Sequence, residues 1–368
     1  MVPGYLISTV VYGTLFALMA MGLTLTYMTT KVPNFAYGSF VTIGLYTAYH
    51  LQKLDNIGPY GASVAAFIVA GLSSVVMYVG VLRPLARRGT PLVGLMIATF
   101  GVDIGFAGLF GIYTDYMQYT YKLIDAKQFY ALPGDFKLFG VQGVVFAAPA
   151  ALALITLAIY VLFTRTKFGI AMRACVENAS LARVLGIDVE RVYVVSWMLA
   201  GGFAGVAGSL YTLWLPGGTS TGSDLIVEIF AASVLGGLNS IFGAVAGGLM
   251  IGASEDLVTT GLGLGFGYLL TGALGAVAIL GGALIFRGKG RRMKIIGGVI
   301  AAIGIYVFLE MATGFSTDLF VSGLVNGFGP NVTPYQKAIP LLVMVATLLI
   351  IPKGIVSLNL GRLRRLRK

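Results

Sequence analysis

The chain has 368 residues, of which 57% are hydrophobic and 11% are charged, and its formal net charge is +11. So much apolar surface cannot be buried in one water-soluble core, which places the chain in a lipid bilayer. The basic residues form short clusters between apolar runs, and this pattern favours membrane topology over nucleic-acid binding.

The chain has one cysteine, Cys175, and one histidine, His50. An internal disulfide is therefore impossible, and a His/Cys metal site is not expected. The first apolar run is too long for the core of a signal peptide and is interpreted as a permanent span.

The apolar runs predict an all-α polytopic membrane protein with about nine transmembrane helices, since a helix needs roughly 20 apolar residues to cross the bilayer. The predicted spans lie near residues 5–27, 34–50, 60–82, 92–113, 141–163, 192–214, 266–286, 295–312 and 338–352.

The charges between the spans predict the orientation. Arg-rich segments follow the third span at Arg83, Arg87 and Arg88, recur in GKGRRMK at 288–294, and form a basic tail at 356–368. Basic segments stay on the cytoplasmic side, which puts the N-terminus outside and the C-terminus inside.

In that orientation the span at 192–214 runs outward and the span at 266–286 runs inward. Residues 225–252 must therefore begin and end on the outer side, although the stretch is too short for two full crossings. Its centre carries Gly236, Gly237 and Asn239, which break regular structure. We therefore predict two re-entrant half-helices that meet inside the membrane and line the translocation pathway. The alternative is one long kinked helix.

Small residues also recur four apart. These pairs predict close packing between helices rather than chemistry: Gly201/Gly205, Ala204/Gly208, Gly243/Gly247 and Gly248/Gly252.

Few acidic groups fall at membrane depth, which argues against coupling to an ion gradient. Asp103 is expected to face the translocation route or a polar partner, because a lipid-facing carboxylate is costly. Glu228 is either part of the pathway or a wetted carboxylate at the outer interface. The nearest phosphate-loop candidate, FRGKG at 286–290, lacks the required glycine spacing, so the chain has no nucleotide site of its own.

The polar segment 164–191 crowds charges between two spans on the cytoplasmic side. One helical stripe recurs through it, with Arg173 and Glu177 outside the stripe and Gly186 as the stop. The stripe consists of Ala174, Asn178, Leu181, Ala182 and Leu185. This shallow amphipathic helix suits docking onto another protein; the alternative is a solvated loop held by salt bridges.

RACVENASLARVLGI at 173–187 resembles the cytoplasmic loop of ABC importer permeases of the branched-chain amino acid family, approximately R-A-x-x-x-N-x-x-x-A-x-x-x-G-I. Further stretches resemble the same family in order: GLTLTYMTTKVPNFAYGSF at 22–40, AASVLGGLNSIFGAVAGGLMIG at 231–252 and TPYQKAIPLLVMVATLLIIPKGI at 333–355.

The resemblance implies that Arg173 to Gly186 is a coupling helix inserted into a cytoplasmic ATPase subunit, and that Asn34 and the break at 236–243 lie near the substrate path. Tyr37, three residues after Asn34, is also expected to line the translocation pathway. It implies import of branched-chain or other small amino acids across a prokaryotic plasma membrane. The expected partners are two ATPases, a second related permease and an extracytoplasmic binding protein. The chain itself binds no cofactor; ATP and Mg²⁺ belong to the ATPases. Alternatives are a permease for urea or short amides, and a self-contained secondary transporter or channel.

Three positions and one segment depart from the family pattern. The family usually reads N-F-A-H-G-E where this chain has Tyr37 and Ser39 in place of the histidine and the carboxylate, and Asp103 replaces a small polar residue. Residues 257–325 add an extra helical hairpin. Substrate identity is therefore less securely implied than the transport mechanism.

Overall fold

The computed structural model describes residues 4–132, 134–138, 140–263 and 338–350. The predicted spans at 266–286 and 295–312, most of the predicted hairpin at 257–325 and the basic tail lie outside these residues. The chain groups into two compact units, Met1–Ala253 with Pro340–Lys368, and Ser254–Ile339. The side chains of the candidate site lie in the first unit.

Helices dominate the described residues, which confirms the all-α prediction. In chain order they are α1 (Gly4–Thr30), α2 (Tyr37–Lys53), α3 (Pro59–Met77), a π-helical turn (Tyr78–Leu82), α4 (Arg83–Arg87), α5 (Leu92–Tyr121), a 3₁₀ turn (Ile124–Ala126), α6 (Val144–Arg165), α7 (Lys167–Val184), α8 (Val189–Tyr211), α9 (Thr221–Gly236), α10 (Ile241–Gly263) and α11 (Ala338–Ile350).

Five described segments are long and apolar enough to cross a membrane: Ile7–Thr30, Pro59–Arg87, Leu92–Tyr121, Val144–Arg165 and Val189–Tyr211. The most apolar 18-residue stretches of Ile7–Thr30 and Val189–Tyr211 are each 72% buried inside the protein. The corresponding stretch of Leu92–Tyr121 is only 11% buried. Helices α1 and α8 are therefore central, and α5 is peripheral. Helix α2 has 17 residues and is buried along most of its length.

Glycine allows α2 and α3 to pack closely against α8. A Cβ at Gly205 would overlap the carbonyl oxygen of Ala66, and one at Gly208 would overlap that of Val41. A Cβ at Gly201 would likewise overlap the side chain of Ser74. The packing role predicted for the small-residue pairs on α8 is confirmed, because these contacts leave no room for a side chain.

The predicted break after α9 is present. The chain turns at Gly237, whose φ of +94° favours glycine, and α10 begins at Ile241. A Cβ at Gly236 would overlap the Gly243 backbone, so α9 and α10 pack as a hairpin and the single kinked helix is wrong. Helix α10 is longer than a half-helix, since its 23 residues extend about 35 Å.

Ion pairs join α4 to the start of α8. Glu190 forms an ion pair with Arg83, whose Nε lies 2.8 Å from its Oε2, and accepts a hydrogen bond from Arg87 Nη2 at 3.2 Å. The Arg-rich segment after α3 and the polar segment 164–191 therefore lie at the same end of the bundle, as the charge pattern predicts. We call this the basic end; its cytoplasmic location stays a prediction.

Short strands cap the opposite end of the bundle. Strand β1 (Gln128–Phe129) pairs antiparallel with β4 (Gly217–Gly218), and β2 (Lys137–Leu138) pairs with β3 (Val141–Gln142). Asp125 ties this cap to α2, because it accepts from Lys53 Nζ and from Tyr49 Oη, each at 2.9 Å.

We expect the Asp125 contacts to make the cap sensitive to acid. Burial alone would raise the pKa of Asp125, but hydrogen bonds from Lys53 and Tyr49 and the Lys53 charge outweigh burial and lower it. A carboxyl group whose pKa is lowered by folding stabilises the protein above its unfolded pKa, about 3.9, and this contribution is lost as pH falls through the folded pKa. The melting temperatures of wild type and Asp125→Asn should therefore differ by a constant amount above about pH 4 and converge as pH falls below it; a difference that persists unchanged well below pH 4 would contradict the assignment.

Candidate translocation pathway and docking helix

Asn34 lies in the irregular segment between α1 and α2 and is fully buried. Its Oδ1 accepts from the N–H of Ala36 at 3.1 Å, an Asx turn that leads the chain into α2. Its Nδ2 has no hydrogen-bond partner among the described residues. A buried, unsatisfied donor is rare and marks a position where a ligand group could bind.

Tyr37 begins α2 and is also fully buried. Its hydroxyl donates to the carbonyl oxygen of Ala200 at 3.3 Å, and a Cβ at Gly22 would overlap that hydroxyl. The ring therefore lies between α1 and α8 in the centre of the bundle. The pathway role predicted for Tyr37 stays a prediction, and in this structure the residue joins helices.

Asp103 accepts two hydrogen bonds from hydroxyl groups on other helices. Ser39 Oγ of α2 donates to its Oδ1 at 2.6 Å, and Ser223 Oγ of α9 donates to its Oδ2 at 3.1 Å. Asp103 and Ser223 are half-buried and Ser39 is buried. We call Ser39, Asp103 and Ser223 the polar node. Asp103 thus has polar partners, one of the two outcomes expected from the sequence, and its pathway role stays a prediction.

Three phenylalanines lie beside the polar node, and sequence reasoning missed them. The Phe35 ring lies 5.3 Å from the Phe230 ring and 6.4 Å from the Phe100 ring, measured between centroids. The N–H of Phe35 also donates to Thr99 Oγ1 at 3.2 Å. Phe35 follows Asn34 in the family-like motif, but nothing in the sequence links it to residues on α5 and α9.

Glu228 lies in the middle of α9 and is only 2% exposed. The alternative of a wetted carboxylate at an outer interface is therefore wrong. Glu228 is inside the helix bundle, where an acidic group needs hydrogen-bonding or charged surroundings.

The residues of the chain break lie apart from the polar node. Ser223 and Gly236 are at opposite ends of α9, about 20 Å apart along the helix axis. Asn239 Oδ1 accepts from Lys31 Nζ at 2.9 Å, which ties the turn to the end of α1. The structure therefore does not bring Gly236, Gly237 and Asn239 together with Asp103.

Helix α7 is interrupted at Asn178, whose φ of −155° and ψ of 97° are non-helical. The single stripe predicted from Ala174 to Leu185 is therefore wrong, because an extended residue breaks the helical periodicity. Before the break, Arg173 and Glu177 are exposed, whereas Ala174 is half-buried. After it, residues 179–184 form a separate short helix.

This short helix is capped at both ends, by a side chain at its N-terminus and by a backbone motif at its C-terminus. Asn178 Oδ1 accepts from the N–H of Leu181 at 3.0 Å, as an N-cap residue does. At the other end Gly186 has φ +80°, its N–H donates to Arg183 O, and the N–H of Ile187 donates to Ala182 O. This is a Schellman motif, so Gly186 ends the helix as predicted.

The short helix presents an apolar surface away from the bundle. Leu181 is 56% exposed, Val184 83% and Leu185 70%, whereas Ala182 is buried against the protein itself. We call Leu181, Val184 and Leu185 the apolar patch. Ala182 is therefore wrongly placed in the predicted docking stripe, and Val184 was missed because the break shifts which residues share a face.

The described helices, with a buried polar segment before α2 and a capped helix at the basic end, define an all-α polytopic membrane protein. A profile of the family described as "Branched-chain amino acid transport system / permease component" matches residues 5–275. The chain belongs to this family. Its members are permease components of ABC transporters and are not themselves enzymes.

Relatives from archaea and bacteria carry matching names. Probable branched-chain amino acid transport permease protein LivH of Methanocaldococcus jannaschii is 36% identical over 357 residues, 97% of this chain and 93% of that protein. High-affinity branched-chain amino acid transport system permease protein BraD of Pseudomonas aeruginosa is 29% identical over 270 residues, 68% and 84% of the two chains. LivH of Escherichia coli is 30% identical over 275 residues, 67% and 83% of the two chains. No solved structure matches the chain.

Proposed function

We propose that this chain is the membrane-spanning subunit of an ATP-driven importer for branched-chain or other small amino acids. An extracytoplasmic binding protein delivers the substrate, and separate ATPase subunits bind ATP and Mg²⁺. The family match and the relatives named for branched-chain amino acid transport support the substrate class.

The apolar patch is the observation that carries this proposal. Three apolar side chains more than half exposed on a helix capped at both ends are costly in water and suit a partner protein. Leu185 is five residues from Glu190, which pairs with Arg83 and Arg87 at the basic end that the positive-inside rule assigns to the cytoplasm. A cytoplasmic ATPase would meet the permease there.

The assembled transporter then has two ATPases, a second related permease in the same membrane and the binding protein on the outside. The N-terminus is outside and the C-terminus is in the cytoplasm of a prokaryotic cell. Closure of the ATPases on ATP would move the short helix of α7 and shift the spans between outward-facing and inward-facing states.

Reconstitution tests the proposal directly. The chain in liposomes with its ATPase subunits, second permease and binding protein should take up leucine only when ATP is supplied. Uptake by the chain alone under a proton or sodium gradient would refute it and would favour a secondary transporter. Uptake of urea in place of leucine would keep the ATP-driven mechanism but reject the substrate class.

Gly186→Pro is expected to uncouple hydrolysis from transport. Proline fixes φ near −65°, whereas Gly186 has +80°, and proline removes the N–H that donates to Arg183 O. The short helix would lose its C-terminal Schellman motif, while the membrane-spanning helices would be unchanged. Membrane insertion should be unchanged, and substrate-stimulated ATP hydrolysis should fall at least tenfold; normal stimulation would contradict a coupling role.

A further inference from the structure

The polar node and the three phenylalanines are built from the same parts of the fold. The segment from Phe35 to Ser39, helix α5 and helix α9 each contribute one ring and one polar side chain. Phe100 and Asp103 are one turn apart on α5, and Ser223 and Phe230 are two turns apart on one face of α9. The three segments therefore form a polar layer and an adjacent aromatic layer.

The polar layer carries a carboxylate without a cationic partner among the described residues. Both hydrogen bonds to Asp103 come from neutral hydroxyl groups, and none of the ion pairs in the described part of the chain includes it. A carboxylate at membrane depth is strongly favoured by a positive charge beside it. Asp103 is half-buried, so its carboxylate is not fully enclosed by the protein.

Asn34 adds a hydrogen-bond donor near the same layers. It directly precedes Phe35, whose N–H binds Thr99, and Thr99 lies one turn before Asp103 on α5. Asn34 is fully buried, and its Nδ2 has no partner among the described residues. A carboxylate of a ligand would satisfy this donor.

We propose that the polar node and the phenylalanine cluster form a binding site for a zwitterionic apolar amino acid inside the permease, an inference that rests on the proposed function. Asp103 binds the α-ammonium group, Asn34 Nδ2 donates to the α-carboxylate, and Phe35, Phe100 and Phe230 contact the hydrocarbon side chain. Ser39 and Ser223 are positioning residues, because their hydroxyl groups hold the Asp103 carboxylate.

The proposed site requires the α-ammonium group of the substrate for recognition. L-Leucine should bind, whereas 4-methylpentanoate, which lacks only the ammonium group, should not compete with it. Asp103→Asn keeps the size of the side chain and removes the charge, so leucine affinity and uptake should fall about 10- to 100-fold. Asp115→Asn is the matched control on the same helix, because Asp115 is 52% exposed and pairs with Lys127 at 2.8 Å.

A second variant separates charge from structural support. Ser39→Asp combined with Asp103→Ser moves the carboxylate across a contact of 2.6 Å and should restore much of the leucine uptake lost in Asp103→Asn. A purely structural node would not require the charge, so Asp103→Asn would then transport normally or would fail to assemble.

The experiment measures binding of radiolabelled leucine to the purified chain and ATP-driven uptake by the reconstituted complex. Weaker binding and uptake in Asp103→Asn, with normal assembly and normal Asp115→Asn, support the site. Unchanged leucine binding in Asp103→Asn, or competition by 4-methylpentanoate equal to that of leucine, overturns it while leaving the proposed function intact. A wild-type chain that binds leucine through Asp103 but shows no ATP-driven uptake keeps the site and overturns the proposed function.

Discussion

Replacing Leu181 and Leu185 together by Glu is expected to abolish ATP-coupled transport while leaving the permease folded. Both side chains are more than half exposed, so the change removes little packing within the chain itself. A fully buried leucine contributes about 1.5–3 kcal/mol to an interface, and each 1.4 kcal/mol is a tenfold change in affinity. Loss of two such contacts, with two charges introduced, should reduce ATPase binding by at least about 100-fold.

The matched control is Arg183→Glu, which changes the charge of the same short helix by two units, as the double variant does, but outside the apolar patch. Arg183 is exposed, and its side chain points about 160° away from those of Leu181 and Leu185 around the helix. Co-purification of the ATPase and leucine uptake should be lost in the double variant and kept in the control. Equal loss in both variants would show that the patch is not the contact surface.

Gly222→Ala is expected to give the largest loss of stability among single substitutions near the site. An added Cβ would overlap the carbonyl group of Gly38 and the hydroxyl of Thr42, and the N–H of Gly222 donates to that hydroxyl at 3.0 Å. Overpacking against a flexible side chain costs about 1–3 kcal/mol, and backbone atoms can move less. Helices α2 and α9 would have to separate, which also displaces Ser39 from Asp103.

Gly105→Ala is the matched control, since an added Cβ there meets no atom within 4 Å. Alanine favours helix by about 1 kcal/mol over glycine in soluble hosts, so this variant should melt at or above the wild-type temperature. Thermal unfolding in detergent should separate the two variants clearly. Similar melting temperatures for both would contradict the close approach of α2 and α9.

Sequence periodicity predicted a helix in the polar segment but placed its exposed face incorrectly. A stripe is computed on the assumption that every residue turns the chain by the same angle, and Asn178 does not. Its side chain hydrogen-bonds to the backbone three residues later, a local interaction that competes with the helix and starts a new one. Gly186 was predictable because its role depends on local backbone conformation alone.

The candidate site was only partly predictable for a different reason. Ser39 and Asp103 each stood out as departures from the family pattern, but their contact joins residues 64 positions apart. One sequence does not reveal that two such positions meet across a helix interface. The same limit applies to Phe100 and Phe230, which look like ordinary apolar residues on their helices until the fold places them beside Phe35.

A short connection joins the short helix of α7 to α8. Only Leu185 to Asp188 separate the two helices, and Asp188 caps α8 by accepting from the N–H of Arg191 at 3.1 Å. Helix α8 is central and packed against α1, α2 and α3. A displacement of the apolar patch would therefore be transmitted to the centre of the bundle through only four residues, Leu185 to Asp188.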